Sequence, residues 1–206
     1  KSPRISRIAD AMPGGYDANY KMIQRFLKRT DLKTPLQRLF DAEAEFVLGD
    51  PTEIERAGAK ATDYVGKLHD GQTRGFWMLA LATPLRGCAL PCNFITYSSA
   101  TLGNDKTSRN LEHRRVIDEI ATTIGDRPLV LDREFSYLGL FKHLVASQMR
   151  FVIRLNQGSK PPKFYYDAHK KEELTLFVAP DSPPKIYRDI YYKGEVRINV
   201  IGIWKK

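Results

Sequence analysis

Two apolar runs of strand character each end in an aspartate. One is Phe46-Val47-Leu48-Gly49-Asp50, followed by Pro51-Thr52; the other is Pro128-Leu129-Val130-Leu131-Asp132, followed by Arg133-Glu134-Phe135. An ionised carboxylate is costly to bury unpaired, so an aspartate fused to a buried strand calls for a cation. Two such aspartates on neighbouring strands, aimed at one spot, make a divalent-metal site. Magnesium is held in this way, by one or two carboxylates plus waters and phosphate oxygens. Two-metal phosphoryl transfer needs such an arrangement. Each aspartate also has a plainer reading. Asp50 precedes Pro51 and suits a turn, and Asp132 suits a helix cap near Ser136.

The chain has 206 residues, of which 42% are hydrophobic. That is enough for one main domain with an appendage. No apolar run reaches the length of a membrane span, and no signal-peptide pattern opens the chain. The expected location is therefore the cytoplasm. The chain starts at Lys1 and stops just after a strand-like run, Val196 to Trp204, so it is expected to be part of a longer protein. Cys88 and Cys92 lack two further ligands at zinc spacing and read as reduced thiols in or beside a strand.

The net charge is +9, and its distribution is uneven. Residues 1–40 carry net +6, residues 41–149 net −3, and residues 150–206 net +6. An acidic, aspartate-bearing middle between basic flanks suits a metal-dependent enzyme acting on nucleic acid.

Residues 1–40 read as helical. Ile5, Ile8, Ala9 and Met12 recur at helical spacing, and Pro13-Gly14-Gly15 stops that helix. Asp17 is then expected to cap a second helix with Tyr20, Ile23, Phe26 and Leu27 on its apolar face. Lys21, Arg25 and Lys28 lie mostly off that face. Two short helices around a glycine turn, the second basic, have the form of a helix-turn-helix that contacts DNA. A plain helical hairpin gives the same pattern.

A first strand is expected at 43–53. A polar connection over 56–74 leaves room for a short pairing around Tyr64 to Leu68. A hairpin follows, Phe76 to Ala82 and Ala89 to Tyr97, turning at 83–87. Ser108 caps a helix to Ile124. Leu129 to Leu131 is a short strand, Ser136 opens a helix to Met149, and Phe151 to Leu155 is a fifth strand. The order β-β-β-α-β-α-β implies a mixed α+β fold, with a mixed five-stranded sheet flanked by helices. Residues 157–206 read as an all-β appendage: Leu174 to Val178, Ile186 to Tyr191 and Glu195 to Trp204, with Lys193-Gly194 as a hairpin turn. The expected divisions are thus 1–40, 41–156 and 157–206.

This order, with its two aspartates, resembles the ribonuclease H-like core of DDE transposases. More closely it resembles the transposases of bacterial insertion-sequence family four. The similar stretches run in order: 48–55 around Asp50, 63–68, 74–77, Ser108-Arg109-Asn110-Leu111-Glu112-His113-Arg114, Leu131-Asp132-Arg133-Glu134-Phe135, and Phe151-Val152-Ile153-Arg154-Leu155. The resemblance covers almost the whole chain. It implies that Asp50 bridges two Mg²⁺ or Mn²⁺ ions and that Asp132 holds one of them. It also implies a third catalytic carboxylate, a glutamate within a tyrosine-arginine-glutamate-lysine signature after a β-rich insertion. No such signature occurs before Lys206. The glutamate is expected further on, and the chain as it stands is expected to be inactive.

The implied reaction is cleavage at a transposon end, then attack of the freed 3′-hydroxyl on target DNA. Both are in-line displacements, with metals about 3.5–4 Å apart. The implied partners are double-stranded DNA and a second copy of the protein in a synaptic complex. No membrane is involved, and the implied setting is the bacterial nucleoid. Arg133 is expected near the scissile phosphate, where a guanidinium forks onto phosphate oxygens; a salt bridge to Glu134 or Asp126 is the alternative. Lys67, in a glycine-flanked loop, and Arg154, on a strand, are further phosphate candidates. Glu134 lies two residues after Asp132 and shares its face on an extended chain, unless a helix start turns it away. A metal-dependent nuclease on the same fold, or a DNA-binding derivative that no longer catalyses, would carry the same features.

Overall fold

Strand-forming runs alternate with helices through the middle of the chain and assemble into one mixed sheet. A computed structural model describes residues 4–31, 33–59, 62–102, 107–156, 158 and 161–204. The sheet contains β1 (Val47–Glu55), β2 (Gly66–Lys67), β3 (Arg74–Leu85), β4 (Cys88–Tyr97), β5 (Leu129–Leu131) and β6 (Phe151–Ile153). Its order is β2-β3-β1-β5-β6, with β4 also paired to β3. β3 runs antiparallel to β1, β2 and β4, whereas β1, β5 and β6 are mutually parallel. The fold is mixed α+β, as the element order predicts.

The details depart from expectation where local bonding intervenes. The sheet has six strands, not five, because Gly66 and Lys67 pair with Gly75 and Arg74. β1 begins at Val47 rather than at 43, because Asp41 closes a local turn. Its carboxylate accepts the Glu43 N–H at 2.9 Å, and its carbonyl accepts the Ala44 N–H at 3.2 Å. Such local side-chain bonds compete with a strand ladder. β6 ends at Ile153, where its three-residue partner β5 also ends.

Five helices accompany the strands among the described residues: α1 (Ile5–Ala11), α2 (Tyr16–Arg29), α3 (Lys33–Gln37), α4 (Arg109–Ile124) and α5 (Leu138–Ala146). Ser108 caps α4 as expected, its hydroxyl accepting the Leu111 N–H at 3.2 Å. The α4 stripe Val116, Ile117, Ile120 and Ile124 packs with Leu140 and Leu144 of α5 against one sheet face, formed by Val47, Leu79, Leu81, Ile95, Leu129 and Leu131. Each fully buried aliphatic side chain contributes about 1.5–3 kcal/mol, so this layer is the main source of stability. The helix predicted from Ser136 is split. A 3-10 turn, Arg133–Phe135, comes first, and α5 starts at Leu138. Ser136 is not its cap; its hydroxyl donates to the Arg133 carbonyl at 2.7 Å.

The last segment forms a second, antiparallel sheet of β7 (Phe164–Tyr165), β8 (Glu173–Leu174), β9 (Lys185–Tyr192) and β10 (Val196–Gly202), in the order β10-β9-β7-β8. Lys193-Gly194 makes the β9–β10 turn with φ of 54° and 70°, the left-handed pair that a tight hairpin needs. β7 was not anticipated, and β8 is two residues long where five were expected. This sheet packs on α5: Phe141 joins Phe164, Ile190, Tyr192, Val196 and Val200 in one apolar cluster. The Tyr192 hydroxyl donates to the Ser136 carbonyl at 2.8 Å, and Lys142 pairs with Glu195 at 2.5 Å.

At the other end, α1 and α2 form a hairpin through Gly14, whose φ is +106°. Asn19 ties it by donating to the carbonyls of Ala9 and Met12 at 3.1 and 3.2 Å. Asp17 does not cap α2. The cap position is Gly15, and Asp17 lies in the first turn, where its charge still favours the helix N-terminus. The expected apolar face is largely uncovered, with Phe26 58% and Leu27 40% exposed. No helix among the described residues is long and apolar enough to cross a membrane.

Gly75 sits where β1, β2 and β3 meet. A Cβ there would lie 2.5 Å from the Ile54 carbonyl oxygen and 2.8 Å from both Leu68 methyls. Backbone cannot give way cheaply, so Gly75→Ala is expected to destabilise by about 1–3 kcal/mol, the usual range for overpacking. Urea denaturation of the two proteins checks this.

Candidate functional site

The parallel register decides where the two aspartates go. Gly49 pairs with Leu131, and Leu131 with Ile153. The next residues along these strands are Asp50, Asp132 and Arg154. They therefore follow one another across β1, β5 and β6 just where the parallel pairing stops, beyond the carboxyl ends of β5 and β6, the side on which open α/β sheets bind ligands. The Arg154 N–H donates to the Leu131 carbonyl at 3.2 Å, which holds that corner. Gly49 permits the approach of the strands, since a Cβ there would meet a Leu131 methyl at 2.4 Å.

Asp50 is not a turn residue. It lies inside β1, opposite Ala80 of β3. Pro51 is accommodated because β1 has lost its β5 neighbour beyond Gly49, and a proline without an N–H suits a strand edge. Asp132 is the cap of the 3-10 turn, its carboxylate accepting the Glu134 N–H at 2.8 Å. The cap reading and the metal reading are thus compatible, because one N–H leaves most of the carboxylate lone pairs open.

The electrostatics set this cluster apart. The Asp50 carboxyl is held above its ordinary pKa, first by desolvation and then by the charges of Asp132 and Glu134. Neither Asp50 nor Asp132 has an ion pair among the described residues. Glu134 is tied by an ion pair to Arg109 at the start of α4. Arg109 also lies near enough to Tyr97 for its charge to act on that hydroxyl, and the Tyr97 hydroxyl lies 2.6 Å from His113 Nε2. The His113 ring is 5.0 Å from that of Phe135, in the same turn as Glu134. Burial and the neighbouring Arg109 push the His113 pKa down to about 4. β4 and α4 thereby bracket the turn that carries Asp132.

No family model matches this chain, and no curated relative does. Among solved structures, the chain is similar to a piggyBac transposase in a synaptic complex with hairpin DNA, with a TM-score of 0.45 and 13% identity. The match covers 95% of this chain and 44% of the other, so the chain spans less than half the length of that transposase chain.

The donor set at the sheet edge is all oxygen, which fits a hard divalent cation such as Mg²⁺ or Mn²⁺. Among the described residues no three His, Cys, Asp or Glu side chains are grouped to hold a metal ion. The site offers two carboxylates, with Glu134 engaged by Arg109.

The predicted cations separate into two sets. Arg154 and Arg133 flank Asp132 in sequence or register, and both are exposed. Arg133 has no ion pair among the described residues; Glu134, its anticipated partner, pairs with Arg109 instead. Lys67 is not brought to the aspartates and is not in a loop. It is exposed on the edge strand β2, held by backbone bonds to Ser99. Its β3 partner Arg74 accepts the N–H of Arg56, six residues beyond Asp50, or about 20 Å along β1. Lys21, Arg25 and Lys28 are exposed on α2, which packs on α1. Sequence reading did not single out Arg109 as a site residue. It lies 25 residues from Glu134, and no local spacing links the two.

Proposed function

We propose that this chain belongs to a DNA transposase of the DDE type, similar to those of bacterial insertion-sequence family four. In this reading it carries out metal-dependent strand cleavage and transfer of the freed 3′-hydroxyl to target DNA. The observation that carries the reading is the adjacency of Asp50 and Asp132 where the parallel pairing of β1 and β5 ends, with no ion pair to either among the described residues. Asp50 and Asp132 would hold Mg²⁺ or Mn²⁺, two ions in the complete site. The bound ions would supply Lewis acidity and neutralise charge on the attacking and leaving oxygens. The Glu134 N–H orients the Asp132 carboxylate. Arg133 and Arg154 bind phosphate oxygens beside it, and Lys21, Arg25 and Lys28 contact duplex backbone through α2. The third carboxylate comes from residues other than those described, and a second copy of the protein completes the synaptic complex.

The test is titration of Mn²⁺ into the chain, followed by calorimetry. Asp50→Asn and Asp132→Asn are each expected to weaken binding by about tenfold or more, since even residues that only support metal ligands cost about 10–100-fold. Unchanged affinity in both variants would show that these aspartates are not ligands. Strand-transfer assays on the full-length protein identify the reaction: a nuclease releases cut ends without joined product. One observation favours a second reading, DNA binding without catalysis: the ion pair to Arg109 that occupies Glu134. DNA retention with neither cutting nor joining would select it.

A further inference from the structure

Glu134 stands beside the two aspartates, yet its carboxylate is engaged elsewhere. It lies two residues after Asp132, and its N–H donates to the Asp132 carboxylate at 2.8 Å. Its charge is among those that, after desolvation, hold the Asp50 carboxyl above its ordinary pKa. Glu134 is thus within electrostatic reach of Asp50 as well. Its carboxylate pairs instead with Arg109, the first residue of α4. With Glu134 drawn off in this way, no third carboxylate joins the pair among the described residues.

Arg109 is an unfavourable residue for its position. The N-terminus of a helix carries partial positive charge and favours acids in its first turn. A guanidinium there is repelled by the helix, whereas the Glu134 carboxylate is attracted by both. The two side chains are 40% and 49% exposed, so the ion pair alone would hold weakly, and the end of α4 reinforces it. The inner side of Arg109 is fixed. Its Nε is buried with no hydrogen-bond partner among the described residues, a condition that native structures rarely tolerate without a role for the group. Beside it stands Tyr97, which is 1% exposed and stacked on Trp77 with ring centres 5.9 Å apart. Among the described residues Arg109 pairs with no carboxylate other than Glu134.

We propose that Arg109 is a positioning residue that holds Glu134 out of the metal site. An ion at Asp50 and Asp132 then meets two carboxylates, and its other positions stay open to water and phosphate oxygens, the coordination that Mg²⁺ favours. Were Glu134 released, a third carboxylate would raise the ligand charge, tighten binding of the free ion and close one of those positions. This role rests on Asp50 and Asp132 being metal ligands.

The experiment is calorimetric titration of Mn²⁺, together with water-proton relaxation, which counts the waters on the bound ion. Arg109→Gln is expected to bind Mn²⁺ about tenfold more tightly, the scale on which residues behind metal ligands act, and to leave one water fewer on the ion. Arg109→Met, which keeps the packed stem without the charge, is expected to do the same, so the test does not hang on one variant; circular dichroism confirms that each folds. Glu134→Gln added to Arg109→Gln is expected to cancel both changes. Arg109→Lys keeps a cation beside Glu134 and is expected to stay near the wild type. A merely structural role has the opposite sign, because a loosened turn weakens the site: unchanged or weaker binding in Arg109→Gln would overturn the proposal. A gain that survives Glu134→Gln would overturn it too, as would tighter binding with an unchanged water count, which marks a through-space charge effect. The metal reading fails separately, if Asp50→Asn and Asp132→Asn both keep the wild-type affinity for Mn²⁺ with Arg109 in place.

Discussion

Phe135→Ala is expected to lower stability by about 3–5 kcal/mol, the range for removing a buried aromatic ring, and to weaken divalent-metal binding as well. The ring is 0% exposed and packs against His113 under the 3-10 turn. The Phe135 N–H closes that turn on the Asp132 carbonyl at 3.3 Å, and Asp132 caps it through Glu134. Emptying the space beneath the turn therefore loosens the carboxylate above it. Urea denaturation measures the first effect, and Mn²⁺ titration at a temperature where the variant remains folded measures the second. Phe135→Leu, which keeps most of the volume, should show a smaller loss of both. A large stability loss with unchanged metal affinity would mean that the turn does not position Asp132.

Acid is expected to destabilise the protein through His113, well before general carboxylate protonation. This side chain is 2% exposed, and its pKa falls from 6.5 to about 4. A depressed histidine pKa means that the unfolded chain takes up the proton first. The stability due to the neutral ring is complete above pH 6.5 and is lost as pH falls towards 4. The full loss amounts to about 3 kcal/mol, from about 1.4 kcal/mol per pH unit. Tyr97 and Arg109 are the polar groups facing the ring, and a second positive charge beside Arg109 adds to the desolvation. Urea midpoints at pH 7, 5.5 and 4.5 should fall steeply in the wild type. His113→Gln should flatten that fall over the same window. An equal slope in both proteins would show that other groups carry the acid sensitivity.

Hydrophobic patterning made much of the fold legible. The meander, the two helices of the core and the hairpin at Lys193-Gly194 follow from apolar runs and turn residues, whose periods are local properties. Strand ends were less legible. β1 starts late because Asp41 bonds its own neighbours, and β6 is short because β5 is short; both depend on partners that a linear pattern does not show. The helix expected at Ser136 became a 3-10 turn and a later helix for the same reason, since Asp132 caps the turn first.

The candidate site divides along the same line. That Asp50 and Asp132 each follow an apolar run is written in the chain, as are the basic flanks around an acidic middle; that β1 continues past Asp50 to Glu55 is not. That the two carboxylates are neighbours follows from the parallel pairing of Gly49 with Leu131, a contact between residues more than eighty positions apart. Only the tertiary structure placed Arg109 on Glu134 and moved Lys67 to a distant edge. Local sequence encodes period and propensity over a few residues. Charges brought together across long loops act through space, and folding alone decides which of them meet.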